Sequence, residues 1–160
     1  MSLKVVLLGA PGSGKGTQGA LLSKHYKIPT ISTGDMLRQA VAAGTKLGKQ
    51  VQGILAEGQL VPDNLMVSLI QERVSHEDCS GGFILDGFPR TVDQARALET
   101  VMEGGLDLVV YLKVSREFVI NRLAGRLTCR KCGAVFQRME ASLCPVCSGD
   151  LEFSALSDHP

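Results

Sequence analysis

The chain has 160 residues and a formal net charge of +1, and 44 % of its residues are hydrophobic. This length has room for one modest domain with a small satellite, and the near-neutral charge offers no basic field to hold a nucleic acid. The longest apolar runs fall far short of the roughly 20 residues of a membrane helix, and glycines break the first run before it resembles a secretory signal. We therefore expect a cytoplasmic protein that binds neither membrane nor nucleic acid.

Short apolar runs alternate with helical patterns along most of the chain. Strands are predicted at residues 3–8, 28–31, 82–86 and 106–114. Helices are predicted at 17–26, in pieces over 34–58 with breaks at Gly44 and Gly48, and at 62–74, 91–103 and 115–125. Ser115 can cap the last of these helices. Strands that alternate with helices predict a parallel sheet with helices on both faces, which is an α/β fold. The alternation stops at Leu127, where a sequence rich in Cys, Gly and Arg begins.

A glycine-rich loop joins the first predicted strand to the first predicted helix: Gly9-Ala10-Pro11-Gly12-Ser13-Gly14-Lys15-Gly16-Thr17. At a helix N-terminus, unpaired N–H groups and the positive end of the helix dipole favour phosphate. Glycines let the backbone wrap around the phosphates, and Lys15 can neutralise the transferring group. Gly16 separates Lys15 from the hydroxyl of Thr17, whereas the usual pattern has Ser or Thr directly after the lysine. The alternative is a glycine-rich turn that merely connects a strand to a helix.

Four of the five cysteines form two Cys-x-x-Cys pairs, Cys129 with Cys132 and Cys144 with Cys147. Their spacing predicts a tetrahedral structural Zn²⁺ site, which would replace a hydrophobic core that so short a segment cannot build. An iron–sulfur site or two disulfides are the alternatives, although a reducing compartment favours metal. A zinc-ribbon module for nucleic acid would rest on these pairs alone. Cys79 is expected to be structural.

Four blocks of sequence, taken in order, resemble the adenylate kinase family: residues 9–18, 31–38, 58–63 and 85–90. The resemblance is continuous from about residue 3 to residue 126, and the cysteine pairs resemble the lid of the zinc-containing members. It implies a P-loop fold of three layers, a parallel sheet between helices, with a small zinc-ribbon-like lid. The implied domains are a core of residues 1–31 and 62–126, an arm for the nucleoside monophosphate at 32–61, a lid at 127–153 and a disordered tail at 154–160.

The resemblance implies reversible, Mg²⁺-dependent transfer of a phosphoryl group from ATP to AMP, giving two ADP. The implied catalytic residues are Lys15, Asp86, Arg90 and Arg126. The implied ATP site comprises Gly12, Ser13, Gly14, Lys15, Gly16, Thr17, Arg122, Arg126, Val135 and Phe136. The implied AMP site comprises Thr33, Arg38, Gln59, Leu60, Val61, Gly87, Phe88, Pro89, Arg90 and Gln94.

Individual roles follow from the same resemblance and suit the chemistry of each side chain. Thr17 and Asp86 would face Mg²⁺, Asp86 through water. Arg38 and Arg90 would grip the AMP phosphate, because guanidinium forks match phosphate oxygens. Gln94 would hydrogen-bond the adenine edge.

Each of these charged residues also has a plainer interpretation. Without the neighbouring loop, Asp86 would be taken as a helix cap and Arg38 as a solvated surface charge. Arg122 and Arg126 lie four residues apart, so we expect them on one face of the helix that leads to the lid. That face could equally be a basic exposed surface.

The resemblance breaks after Cys147. Ser154 stands where the family pattern has an arginine, and the family's next helix, which has a second arginine, its final strand and its closing helix are missing. We therefore expect either a working adenylate kinase or a catalytically impaired nucleotide-binding remnant. The family is expected to be monomeric, but an uncovered sheet edge would favour self-association.

Overall fold

The computed structural model describes residues 2–57, 59, 61–102, 104–129, 131, 135–137 and 142–153. The chain divides into two compact units: one contains Met1–Gly9 and Gly14–Leu112, and the other contains Ala10–Ser13 and Lys113–Pro160. The predicted arm falls within the first unit and the predicted lid within the second. Among the described helices, none has both the length and the hydropathy of a membrane span.

The first unit is built on a four-stranded parallel sheet, as predicted. Its strands are β1 (Leu3–Gly9), β2 (Thr30–Ser32), β3 (Gly82–Asp86) and β4 (Leu108–Leu112), in the spatial order β2-β3-β1-β4. The second strand begins two residues later than predicted, after Pro29, which has no N–H to donate to a strand ladder. The carboxyl ends of β1, β2 and β3 lie at one edge of the sheet, which is where ligands bind in open α/β sheets.

Five helices complete this unit. They are α1 (Lys15–Tyr26), α2 (Thr33–Ala42), α3 (Lys46–Ala56), α4 (Asp63–Val74) and α5 (Val92–Val101), and a short 3₁₀ turn spans Glu77–Cys79. The side chains of Ser32 and Thr91 cap α2 and α5 by accepting backbone N–H bonds. A break expected at Gly48 does not occur. Gly48 lies inside α3, where a side chain would collide with the backbone of Ala40, so glycine permits close packing of α2 on α3.

Alternate residues of β1 face different helices. Val6 packs in a buried cluster with Ile70 of α4 and Leu98 of α5. Val5 and Leu7 pack in a second cluster with Leu22 of α1. Because successive side chains of a strand point to opposite faces, these two clusters lie on the two faces of the sheet. The predicted arrangement of helices on both faces is confirmed.

Strand β4 forms one edge of the sheet among the described strands. Its side chains Leu108, Val109 and Tyr111 are 51 %, 53 % and 64 % exposed, unlike the buried residues of β1 and β3. Apolar side chains on an edge strand are suited to pairing with a further strand. Self-association through this edge stays a prediction.

The second unit contains helix α6 (Arg116–Ala124) and an antiparallel sheet of β5 (Arg126–Cys129), β6 (Val135–Gln137) and β7 (Leu151–Phe153), in the order β6-β5-β7. Ser115 caps α6, as the sequence predicted. The expectation that Arg122 and Arg126 share a helix face is wrong. The helix ends at the cap Gly125, so Arg126 is the first residue of a strand and pairs in register with Gln137.

Candidate active site

The glycine-rich loop lies between the end of β1 and the start of α1. Gly14, with a left-handed φ of 103°, precedes the helix, and no side chain caps the first turn, which contains no acidic residue. The Lys15 Nζ atom donates a hydrogen bond to the carbonyl oxygen of Gly9 at 2.8 Å. This contact joins Lys15, at the end of the loop, to Gly9, at its start. The helix N-terminus and the ammonium group together favour an anion there.

Ser13 is buried within this loop. Only 7 % of its surface is exposed, and its Oγ atom has no hydrogen-bond partner among the described residues. Its backbone N–H donates to the carbonyl oxygen of Ala10 at 3.1 Å, which tightens the turn. A buried hydroxyl without a partner costs about 1–3 kcal/mol. A phosphate oxygen in the loop would supply the missing acceptor, so the loop fits the group that the sequence predicted for it.

Asp86 lies at the carboxyl end of β3, in register with Leu7 of β1 and Ser32 of β2. Burial raises the pKa of its half-buried carboxyl group. The positive charges of Lys15 and Arg90 lower this pKa, and the negative charge of Asp35 raises it. Four charged groups from three separate sequence blocks therefore act on one another at the carboxyl end of the sheet. A carboxylate among phosphate-binding cations is suited to hold a hard cation such as Mg²⁺.

The segment from Gly87 to Arg90 follows β3 and begins with a bend at Gly87. The carbonyl oxygen of Gly87 accepts hydrogen bonds from Thr33 Oγ1 at 3.2 Å and from Arg90 Nε at 2.9 Å. Phe88 is 1 % exposed and anchors the segment in the core, and the Phe88–Pro89 peptide bond is cis. The segment therefore presents an exposed guanidinium group from a fixed backbone.

Gln94 is almost fully buried, with 2 % of its surface exposed. Its Oε1 atom accepts a hydrogen bond from the backbone N–H of Arg90 at 2.7 Å. Its Nε2 atom donates to Asp63 Oδ1, also at 2.7 Å. The amide thus joins the start of α4 to the segment that carries Arg90.

The remaining residues predicted for the AMP site lie on or near α2 and ahead of α4. Arg38 is exposed and forms an ion pair with Asp35 at 2.6 Å, so its guanidinium group stands in solvent on α2. Val61 is buried, with 5 % exposed, whereas Gln59 is exposed and donates from Nε2 to Glu57. Leu60 lies outside the described residues.

Three cysteines of the second unit form a candidate metal site. The Sγ atoms of Cys129, Cys144 and Cys147 all lie within 4.8 Å of one another. Those of Cys129 and Cys147 are 3.4 Å apart, far beyond the roughly 2.05 Å of a disulfide bond. Four thiolates at about 2.3 Å from Zn²⁺ stand roughly 3.8 Å apart, so the observed spacing fits a tetrahedral metal site. Cys132, the predicted fourth ligand, lies outside the described residues.

The backbone around these cysteines also fits a metal site. The N–H of Val146 donates to the Sγ atom of Cys144 at 3.4 Å, a contact that stabilises negative charge on sulfur. A side chain at Gly149 would come within 3.0 Å of Cys129 Sγ and 3.3 Å of Cys147 Sγ. Glycine at this position therefore leaves room for the sulfur atoms to converge.

The Adenylate kinase family model matches residues 7–153, which include the loop, Asp86, the Arg90 segment and the cysteine cluster. The chain belongs to the adenylate kinase family.

Individual adenylate kinases are similar over most of this chain. The adenylate kinase of Pseudothermotoga lettingae is 52 % identical over 137 residues, covering 84 % of this chain and 63 % of its own length. Those of Caldicellulosiruptor bescii and Geotalea daltonii are 45 % and 48 % identical over 157 residues, covering 93 % of this chain and 73 % of their own length. The chain therefore spans between 63 % and 73 % of the length of these three adenylate kinases.

The structure brings together only part of the adenylate kinase site that the sequence predicted. Lys15, Asp86 and Arg90 interact electrostatically within the first unit. Arg122 and Phe136 are half-buried in the second unit, where the Arg122 guanidinium group lies 5.3 Å from the ring centroid of Phe118 on the same helix. The roles assigned to these residues stay predictions.

Sequence analysis missed two carboxylates at this adenylate kinase site. Asp35 acts on the charge of Asp86 and pairs with Arg38. Asp63 accepts the hydrogen bond of Gln94. Both stand inside the blocks that carried the resemblance, so their positions were visible in the sequence. The contact of Asp63 with Gln94 was not visible, because it joins residues 31 positions apart. The effect of Asp35 on Asp86 likewise joins two separate sequence blocks.

The raised pKa of Asp86 leads to a prediction about stability and pH. The folded protein holds this proton more tightly than the unfolded chain, so the contribution of Asp86 to stability falls as pH rises through its folded-state pKa. Asp86→Asn cannot ionise. We expect this variant to be more stable than wild type at pH 7, with the difference shrinking as pH falls toward about 4, the ordinary range of a carboxyl group. Urea unfolding across that pH range measures it; a difference that grows on acidification would contradict the stated cause.

Proposed function

We propose that this chain catalyses reversible transfer of the γ-phosphoryl group of ATP to AMP, giving two ADP. An oxygen of the AMP phosphate attacks the γ-phosphorus and the β–γ bridging oxygen leaves with ADP. Such transfer depends mainly on positioning and charge compensation, with little covalent chemistry from the protein. The site needs fixed cations around the phosphates and a cover that excludes water.

One arrangement supports this proposal most strongly: Asp86 ends β3 beside the ends of β1 and β2, where the charges of Lys15, Asp35 and Arg90 act on it. Lys15 belongs to the phosphate loop, and Arg90 belongs to the segment assigned to the monophosphate. An arrangement in which donor-side and acceptor-side cations meet at one carboxylate suits transfer between two phosphates.

Each residue has a proposed task in this reaction. Lys15 and the loop N–H groups hold the β- and γ-phosphates, and Ser13 Oγ donates to a phosphate oxygen. Arg38 and Arg90 hold the AMP phosphate, and Thr33, Gln59, Leu60, Val61 and Gln94 surround its nucleoside. Arg122, Arg126, Val135 and Phe136 of the second unit are proposed to contact ATP. Nothing in the comparisons favours a catalytically impaired remnant.

The proposed function involves two metal ions, Mg²⁺ and Zn²⁺. Thr17 and, through water, Asp86 would hold Mg²⁺ bound with ATP, and this ion would compensate charge on the phosphates. Zn²⁺ at the cysteine cluster stabilises the lid. We further propose that the protein works in the cytoplasm as a monomer and acts on free nucleotides.

The experiment for this function is steady-state ADP formation from ATP and AMP with an Arg90→Ala variant. Loss of a hydrogen bond to a charged group costs about 1.5–3 kcal/mol, so KM for AMP should rise about 10- to 100-fold while KM for ATP stays within about twofold. Arg96→Ala is the matched control, because Arg96 is exposed on α5 and pairs only with Asp93 among the described residues. An equal rise in both KM values, or the same effect in both variants, would contradict the assignment of Arg90.

A further inference from the structure

Asp63 is the acidic residue in the first turn of α4, and its position gives it a second task beyond that helix. The Oδ1 atom of Asp63 lies 2.7 Å from the Nε2 atom of Gln94. The Gln94 residue is buried, with 2 % of its surface exposed. An ionised carboxylate accepts hydrogen bonds and donates none, so it fixes which end of the Gln94 amide faces it. The nitrogen end therefore points to Asp63.

The opposite end of the same amide holds the backbone of Arg90. Oε1 of Gln94 accepts the Arg90 N–H at 2.7 Å, and a backbone N–H can only donate. The contacts with Asp63 and with Arg90 therefore both require the same orientation of the Gln94 amide. Arg90 itself is exposed, so this link holds the backbone from which its guanidinium group projects.

We propose that Asp63 is a positioning residue for the monophosphate site, acting through Gln94 to fix the backbone of Arg90. This inference rests on the function proposed above, in which Arg90 binds the AMP phosphate. The link joins the start of α4, two residues after Val61, to the segment from Gly87 to Arg90. Two stretches of chain assigned to the same ligand are therefore held at a fixed separation by one buried amide. Misplacement of a phosphate-binding group by even a small distance weakens binding.

Two variants separate this positioning role from a merely structural one. Asp63→Leu removes the acceptor and leaves the Gln94 nitrogen unsatisfied, whereas Asp63→Asn keeps an acceptor oxygen. Both variants lose the same negative charge at the start of α4, so their effects through the helix dipole are matched. We expect Asp63→Leu to raise KM for AMP about tenfold, with kcat and KM for ATP within about twofold of wild type. Asp63→Asn should restore KM for AMP to within about threefold of wild type.

A second readout needs no catalytic activity. Hydrogen exchange of the Arg90 backbone amide, followed by NMR, reports its bond to Gln94 directly. We expect this amide to exchange about tenfold faster in Asp63→Leu than in Asp63→Asn, while amides within α4 exchange alike in the two variants. If Asp63→Leu fails to fold, Asp63→Ala enters the same comparison.

The outcomes are distinct. Equal KM values for AMP in the Leu and Asn variants, or parallel rises for AMP and ATP, would overturn the positioning role. Equal Arg90 exchange in the two variants would overturn the link itself. If the wild-type protein forms no ADP but Arg90 exchange still differs between the two variants as expected, the proposed function is wrong and the link from Asp63 to Arg90 stands.

Discussion

Replacing Lys15 by alanine is expected to reduce kcat for ADP formation by about 10²- to 10³-fold, the usual effect of removing one preorganised charge from a transition state. The Lys15 ammonium group is held against the Gly9 carbonyl oxygen and acts on the charge of Asp86. In the proposed function, this ammonium group compensates the charge that develops on the transferring phosphoryl group. Rapid-quench or coupled assays at saturating ATP and AMP measure the loss.

Lys24→Ala is the matched control for this change. Lys24 is an exposed cation in the last turn of the same helix, so the variant makes the same chemical change away from the loop. We expect its kcat to stay within about twofold of wild type. The binding of AMP alone should be similar in both variants, since Lys15 is assigned to ATP. A Lys15→Ala variant as active as Lys24→Ala would remove the phosphate loop from the chemistry.

Loss of the metal is the second large effect that we expect. Among the lid residues whose burial the structure describes, Leu127, Cys129 and Cys144 are buried, and two of these three are candidate metal ligands. Structural zinc contributes about 10–16 kcal/mol of apparent binding energy in zinc-finger peptides. Removal of the metal should therefore unfold the sheet of β5, β6 and β7. Backbone hydrogen exchange in β5 before and after chelation measures this unfolding.

Two cysteine variants test which thiols hold the metal. Cys144→Ser should lose nearly all bound zinc, while Cys79→Ser should keep about one zinc per chain, as expected for a four-thiolate site. Cys79 is a suitable control because it is also buried but lies in the first unit, where its Sγ atom contacts Arg73. Metal analysis by mass spectrometry gives the stoichiometry. Zinc-free protein whose lid stays folded through disulfides would contradict the metal site.

The strands and helices of the first unit were largely predictable, because their signals are local. The strand Gly82–Asp86 and the helix Asp63–Val74 appear where the sequence places them. Local signals fail where a tertiary contact overrides them. Gly48 has the form of a helix break, yet it lies within α3 because Ala40 packs against it.

The candidate site shows the same contrast between local signals and tertiary contacts. The convergence of Lys15, Asp86 and Arg90 was predictable because each stands in a motif whose chemistry is specific, whereas their catalytic roles stay predictions. Asp63 and Asp35 were not predictable, because their importance depends on partners brought close by folding. Arg126 was placed on a helix face by spacing alone, and Gly125 ended that helix one residue earlier.

The most direct test is the stoichiometry of nucleotides after incubation of the protein with ATP, AMP and Mg²⁺, beside identically purified Lys15→Ala. We expect two ADP to appear for each ATP and AMP consumed, with the variant close to the background of adenylate kinase from the expression host. ADP formation at the same low rate in both preparations would contradict the proposed phosphoryl transfer.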